Sequence, residues 1–297
     1  QDACPISVML VFMLVDLPLV QSEPHVRSHR PVRSLPEPSN RPFVTASALF
    51  VDVSRGDDSS SGSKALPWKT IRHAISKLKA GDTLYLRGGI YYEQVVVTAK
   101  GTRAKPVTIR SYPGEVAVID AGLREFFNQP DKAWEPVVGG AVGEYRSSHA
   151  FPRMMRAVGN FADSMIPLHS YGDIADLTST TELPRPRKSG QAQPRYFGPG
   201  LSYHAETGRI HIRLAHTHVR AFGSGNYRGV TDPRKLKLVI AGWSSTPLAV
   251  KNARHVRFQD LVFQGGGDST VLITGSQHIE FDGVTIYAAN RGMRVET

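Results

Sequence analysis

Residues 248–264, LAVKNARHVRFQDLVFQ, laid over residues 271–287, VLITGSQHIEFDGVTIY, decide how this chain is read. At this offset of 23, Val250 falls on Ile273, His255 on His278, Val256 on Ile279, Phe258 on Phe281, Leu261 on Val284 and Phe263 on Ile286. Each unit holds two or three short stretches with apolar residues at alternate positions, the period of a strand with one buried face. Such a unit cannot bury its inward face alone and must stack on a neighbour. A leucine-rich repeat has a similar length but needs an L-x-x-L-x-L-x-x-N pattern, which neither unit carries. The expected fold is therefore all-β, a parallel β-helix. Positions 23 apart become vertical neighbours about 4.8 Å apart. Val256 and Phe258 point inward under Ile279 and Phe281, and Arg257 lies outside beside Glu280, an opposite-charge pair that fits the register.

Working back from the repeat, residues 123–246 break its rhythm. Trp134–Val137, Met154–Leu168 and Arg209–Leu214 read as strands of an inserted β-rich subdomain, with a basic loop at 185–191. Residues 47–122 read as an N-terminal cap and the first coils. Ile71, Ala74, Ile75 and Leu78 follow the spacing of one helix face, ended by Gly81. Leu84 and Leu86, Val95 and Val97, Val107 and Ile109, and Val116 and Val118 then mark four strands by their period of two. A helix ahead of a stack of strands suits a cap, because an open end exposes unpaired backbone. The coils resume over 247–297 and are expected to continue past the chain end, leaving this fold C-terminally incomplete.

Residues 6–15 form an apolar run of signal-peptide length, too short to span a bilayer, so a signal peptide is expected over 1–22. The five prolines and four arginines of 23–46 suggest a linker. Cys4 is the single cysteine, and cleavage would remove it together with any disulfide or thiolate chemistry. The expected location is outside the cell, extracellular or periplasmic, with no membrane span after cleavage. A net charge of +10 suits an acidic partner, but the arginines are scattered and no nucleic-acid module is recognisable, so nucleic acid is not expected. No G-x-S-x-G, P-loop or dinucleotide fingerprint stands in a strand-to-helix context, which argues against esterase, NTPase and dehydrogenase folds.

The stretch from Phe50-Val51-Asp52-Val53 through Pro67-Trp68-Lys69-Thr70-Ile71 to Gly81-Asp82-Thr83-Leu84-Tyr85-Leu86 and Gly88-Gly89-Ile90-Tyr91-Tyr92-Glu93 resembles the opening of pectin-lyase-like right-handed β-helix proteins. Lys105-Pro106-Val107-Thr108-Ile109-Arg110-Ser111-Tyr112-Pro113-Gly114 continues the likeness, which covers roughly 75 residues of cap and first coils. The insertion, with Trp134-Glu135-Pro136 and Glu206-Thr207-Gly208-Arg209-Ile210-His211-Ile212, looks like the β-sandwich of some β-xylosidase-like glycosidases. The resemblance implies a secreted carbohydrate-active protein acting on a polysaccharide or oligosaccharide, as a monomer. A glycoside hydrolase leads, with a polysaccharide lyase and a non-catalytic glycan-binding or cell-surface protein as alternatives, since a fold does not dictate an activity.

Glycoside hydrolysis generally uses two carboxyl groups. Asp268 follows Gly265-Gly266-Gly267, where a glycine turn admits a ligand to the backbone, and the repeat sets it beside Arg291. Asp268 and Glu296 are the catalytic candidates, with Arg291, Arg294 and Tyr287 to hold substrate. The competing reading of Asp268 is a turn-capping carboxylate paired with Arg291. The main site is expected on coils beyond Thr297. His255 and His278 read as stacked turn histidines, and His204, His211, His216 and His218 make a poor metal set without Cys or Glu beside them. Asp52, Asp57 and Asp58 read as a solvated loop. No metal or cofactor is expected, calcium entering only for a lyase.

Overall fold

The computed structural model describes residues 36–183, 188, 193–218, 223–287 and 290–296. The expected signal peptide, the linker up to residue 35 and most of the basic loop at 185–191 lie outside the described residues. The described chain is mostly β, with a few short helices.

β1 (Ala48–Val51) precedes a single-turn helix, α1 (Ile71–Ile75), followed by β2 (Thr83–Leu86), β3 (Gly89–Tyr92), β4 (Val95–Val97), β5 (Val107–Ser111) and β6 (Ala117–Asp120). After α2 (Glu125–Asn128) and α3 (Pro130–Ala133) come β7 (Trp134–Pro136), β8 (Glu144–Ser147), β9 (Ala157–Phe161), β10 (Pro167–Ser170), α4 (Ile174–Thr178), β11 (Gly200–His204), β12 (Arg209–Arg213) and β13 (Leu238–Gly242). The last seven strands are β14 (Leu248–Lys251), β15 (Arg254–Gln259), β16 (Leu261–Gln264), β17 (Ser269–Thr274), β18 (Gln277–Asp282), β19 (Thr285–Ile286) and β20 (Arg291–Glu296).

Three sheets are wholly parallel, in the orders β1-β2-β5-β15-β18, β3-β6-β16-β19 and β4-β14-β17-β20. From β2 onward the chain visits them in one cyclic order, interrupted only between β6 and β14. The offset of 23 is the hydrogen-bonded register: Val250 pairs with Ile273, Val256 with Ile279, and Phe258 with Phe281. The Phe258 and Phe281 rings stack with centroids 4.9 Å apart, and Arg257 Nε meets Glu280 Oε2 at 2.9 Å. The faces of the three sheets enclose one apolar core, which includes Leu84, Val97, Ile109, Ile119, Val250, Phe258 and Phe263.

Residues between β6 and β14 build a separate seven-stranded sheet of mixed direction, β13-β9-β10-β11-β12-β8-β7, over a second core of Phe126, Trp134, Phe161, Leu201, Ile210 and Ile240. Its interstrand pairs are antiparallel except β10 with β11.

Four local readings change. The helix is shorter than the Ile71–Leu78 spacing implies: Thr70 caps it by accepting from His73 N, and Ser76 ends it, although Leu78 still packs on the core. In β6, Ala117 and Ile119 face inward while Val118 is only half-buried, one residue out of phase with the Val116/Val118 reading. The period-two rule cannot set phase where a strand is apolar on both faces. Gly89–Tyr92 is a strand, with the Tyr91 hydroxyl buried and donating to Arg87 O at 2.8 Å. In the stretch read as a linker, residues 39–44 lie against the outer face of β2 and β5. Ser39 N donates to Glu115 O at 3.2 Å, Val44 N to the Tyr85 hydroxyl at 2.8 Å, and Arg41 pairs with Asp260 and Asp282.

Candidate functional site

The corner that joins the β6/β16/β19 side to the β14/β17/β20 side is where the seven-stranded sheet leaves and rejoins the stack. Leu123 N donates to Ile240 O at 2.7 Å, so the outgoing and returning chains run side by side. One repeat later the same corner is the glycine turn at 265–267. Gly265 has φ +73°, and a Cβ there would stand 2.1 Å from Asp120 Oδ1, so the turn needs glycine for its conformation and for its clearance. The returning chain fastens this turn from outside: Gly267 N donates to Ser245 O at 2.8 Å, and Asp268 N to Trp243 O at 2.7 Å.

Asp268 is thereby fixed at the mouth of the corner, and four of the five residues expected from sequence meet there. Asp268 Oδ2 accepts from Arg291 Nη1 at 3.0 Å and from Arg294 Nη1 at 3.3 Å. The other arm of Arg294 reaches Glu296 Oε1 at 2.5 Å. One guanidinium thus bridges both carboxylates. The pairing with Arg291 is also what a turn-capping Asp268 would make.

Tyr287 takes a different place. Its hydroxyl donates to Gln264 Oε1, Gln264 Nε2 donates to Asp120 Oδ2 at 2.7 Å, and Gly122 N donates to Asp120 Oδ1 at 2.6 Å. Asp120, Gln264 and Tyr287 form a polar ladder at the end of one sheet, with Tyr92 in register beneath Asp120. Burial pushes the Asp120 carboxyl above its ordinary value, against the two hydrogen bonds it accepts. Burial and then the Asp120 charge push the Tyr287 hydroxyl up as well, so it remains a neutral donor. Asp120 escapes a reading based on the repeat because the insertion separates it from Gln264 in sequence.

Beside Trp243 lies a cavity of about 240 Å³ lined by Met155, Arg156, Tyr171, Gly172, Tyr203 and Trp243. Trp243 N donates to Arg156 O at 2.9 Å, and the Arg156 guanidinium stands 5.5 Å from the Trp243 ring. The Tyr171 hydroxyl donates to Gly198 O at 2.8 Å, fixing its ring. Behind it, burial and then the charge of Arg156 hold the His169 imidazole down at about 4, so it is neutral at pH 7. Aromatic faces beside a cation and a carboxylate–guanidinium network suit a sugar, which presents apolar C–H faces and hydroxyls together.

The remaining candidates resolve into structure. Asp52 accepts from Ser54 N and Arg55 N, and Asp58 from Lys69 N, Thr70 N and the Thr70 hydroxyl. His211 pairs with Glu144 at 2.7 Å, His218 with Glu182 at 3.2 Å, and His216 with Gly229 O at 2.7 Å, so these histidines do not converge. Among the described residues, no group of three or more His, Cys, Asp or Glu could hold a metal ion. None of the described helices is long and apolar enough to cross a membrane.

No family model matches the chain. Over 64 residues it is 42% identical to the uncharacterized protein YwoF of Bacillus subtilis, covering 22% of this chain and 14% of that protein. Over 81 residues it is 36% identical to the pectate lyase PEL9 of Emericella nidulans, covering 27% of this chain and 20% of the lyase. The chain thus matches a fifth or less of the length of these relatives. Among solved structures, the complex of XylC with xylose aligns with a TM-score of 0.44 at 15% identity, covering 76% of this chain and 41% of that one. A chain described as a glycoside hydrolase aligns with a TM-score of 0.46 at 12% identity, covering 80% and 61%. Likenesses at this level carry no argument about function.

Proposed function

We propose that this chain is part of a secreted, carbohydrate-active protein of the pectin-lyase-like kind. On this reading its three parallel ladders are coils of a right-handed β-helix, with a cap and first coils over 47–122, an inserted subdomain over 123–246 and further coils over 247–297. The 23-residue register and the partial likeness to a pectate lyase support it. The reaction we assign is glycoside hydrolysis of a polysaccharide or oligosaccharide at the glycine corner. The observation that carries the assignment is the meeting of Asp268, Arg291 and Arg294 with the returning chain at Trp243, beside the aromatic cavity.

In that reaction Asp268, its position set by two guanidiniums, is one carboxyl group, and Glu296, lying across Arg294, is the second. Arg291 and Arg294 also offer donors to sugar hydroxyls or acidic groups. Tyr287 serves the corner through Gln264, as a positioning residue. No resident cofactor is needed. A second reading, elimination on a uronic-acid glycan, is favoured by the likeness to the pectate lyase. It would need a cation, calcium or one of these arginines, to neutralise the uronate and a base to take the neighbouring proton.

Incubating the full-length product with a panel of polysaccharides separates the readings. Reducing ends without ultraviolet absorbance mean hydrolysis, reducing ends with absorbance of unsaturated uronates mean elimination, and binding without either means a glycan-binding protein.

A further inference from the structure

At the end of β14 and β17 remote from the glycine corner, a second site forms that the glycan reading does not use. His255 and His278 stack face to face, with ring centroids 4.3 Å apart and planes 5° from parallel. Both have positive φ, 48° and 54°. The other left-handed positions from 252 to 283 are Asn252, Asp260, Gly265, Gly275 and Gly283, residue types that adopt this conformation readily. An imidazole therefore stands twice, one above the other, where a smaller residue would satisfy the backbone.

The pair borders a cavity of about 270 Å³ whose lining includes Arg103, Pro106, Arg257 and Glu280. The charges around it are unequal. Glu280 is committed to Arg257 at 2.9 Å, while the charges of Arg254 and Arg103 both bear on His255. Burial, then His278, Arg254 and Arg103, hold the His255 imidazole below its ordinary value. Protonating both rings sets two like charges face to face, at a cost in Coulomb repulsion. An anion between the rings and Arg103 removes that cost and meets N–H donors from all three.

We propose that this cavity is a binding site for a doubly charged oxyanion, a sulfate or phosphate group, clamped by Arg103 and the two protonated imidazoles. The site is separate from the corner and does not depend on its chemistry. Anion and proton binding are linked, so the anion raises the titration midpoints of both histidines and acid tightens the anion.

The test follows the imidazole C–H resonances of the whole protein through a pH titration, in sodium sulfate and in sodium chloride of equal ionic strength. Sulfate should raise both midpoints relative to chloride, and its affinity should be about tenfold or more higher near about pH 5.5 than near about pH 7.5. The double variant H255N/H278N keeps residues suited to positive φ at both positions and should abolish the pH dependence of sulfate affinity, while R103Q should weaken sulfate at every pH, both at unchanged melting temperature. A sulfated oligosaccharide beside its desulfated form shows the source: preference for the sulfated sugar over the free ion makes it a glycan sulfate, and equal binding a free ion. Midpoints that respond no more to sulfate than to chloride, or a pH-dependent sulfate affinity that survives in H255N/H278N, would overturn the proposal.

Discussion

The carboxylate of Asp268 accepts from Arg291 and Arg294, whereas Asp120, behind the same corner, is met by the Gln264 amide and one backbone N–H and by no cation. This difference separates their expected behaviour. Asp268 is partly exposed, and ion pairs of that kind contribute about 0–1 kcal/mol, so D268N should leave the melting temperature nearly unchanged while abolishing turnover on any substrate the panel identifies. Loss of folding instead would assign Asp268 to structure. Asp120 has its folded-state value raised by burial, so the folded chain holds that proton to higher pH than the unfolded chain does. Its contribution to stability is lost as pH rises from the ordinary carboxylate value through the raised one, and the cost is fully present above both. D120N, with the Gln264 amide turned to match, should therefore stabilise the protein by about 1 kcal/mol at neutral pH and show no gain in strong acid, as read by denaturant titration at both. The partnership of Asp268 with Arg291 was legible in the sequence because both lie within the repeat. Asp120 and Gln264, 144 positions apart, were not, because the insertion removes the register that would relate them.

Strand β6 shows how far periodicity carries at the level of one element. Val116, Ala117, Val118 and Ile119 are all apolar, so alternation announces a strand without saying which pair faces the core, and only the ladder with β16 sets Ala117 and Ile119 inward. I119A should cost about 2–4 kcal/mol through the cavity it leaves, and V118T less than about 1 kcal/mol, measured by chemical unfolding. Equal costs would mean the strand is not held in this phase. In β10, His169 is neutral in the fold and titrates at about 4, below its unfolded value of about 6.5. Its stabilising contribution is complete above about pH 6.5 and is lost as pH falls through that value toward about 4, so H169N should flatten this limb of the stability profile. The helix before the coils was legible from its apolar spacing, but its end was not. Ser76 stops it, and Leu78 reaches the core from outside the helix, a choice made by packing.

At the scale of the whole molecule, the core inside the parallel sheets shares no residue with the core of the seven-stranded sheet, and the chain leaves and returns between them at one corner, where Leu123 N bonds Ile240 O. Replacing residues 124–239 by a short glycine-rich loop should therefore preserve a cooperative unfolding transition and β-type circular dichroism, since joining neighbouring ends costs little loop entropy. The shortened chain should lose glycan binding that depends on Arg156 and the Tyr171–Trp243 cavity. The repeat of 23 by itself determined the paired strands, the inward phenylalanines, the Arg257–Glu280 pair and the histidine stack, because a parallel ladder whose register equals the repeat turns a fixed sequence offset into spatial contact. The tertiary structure alone decided the phase of β6, the buried contact of Asp120 with Gln264 and the place of Trp243 beside Asp268. Those contacts join segments whose separation follows no period, and they arise from where two cores dock rather than from any local pattern in the chain.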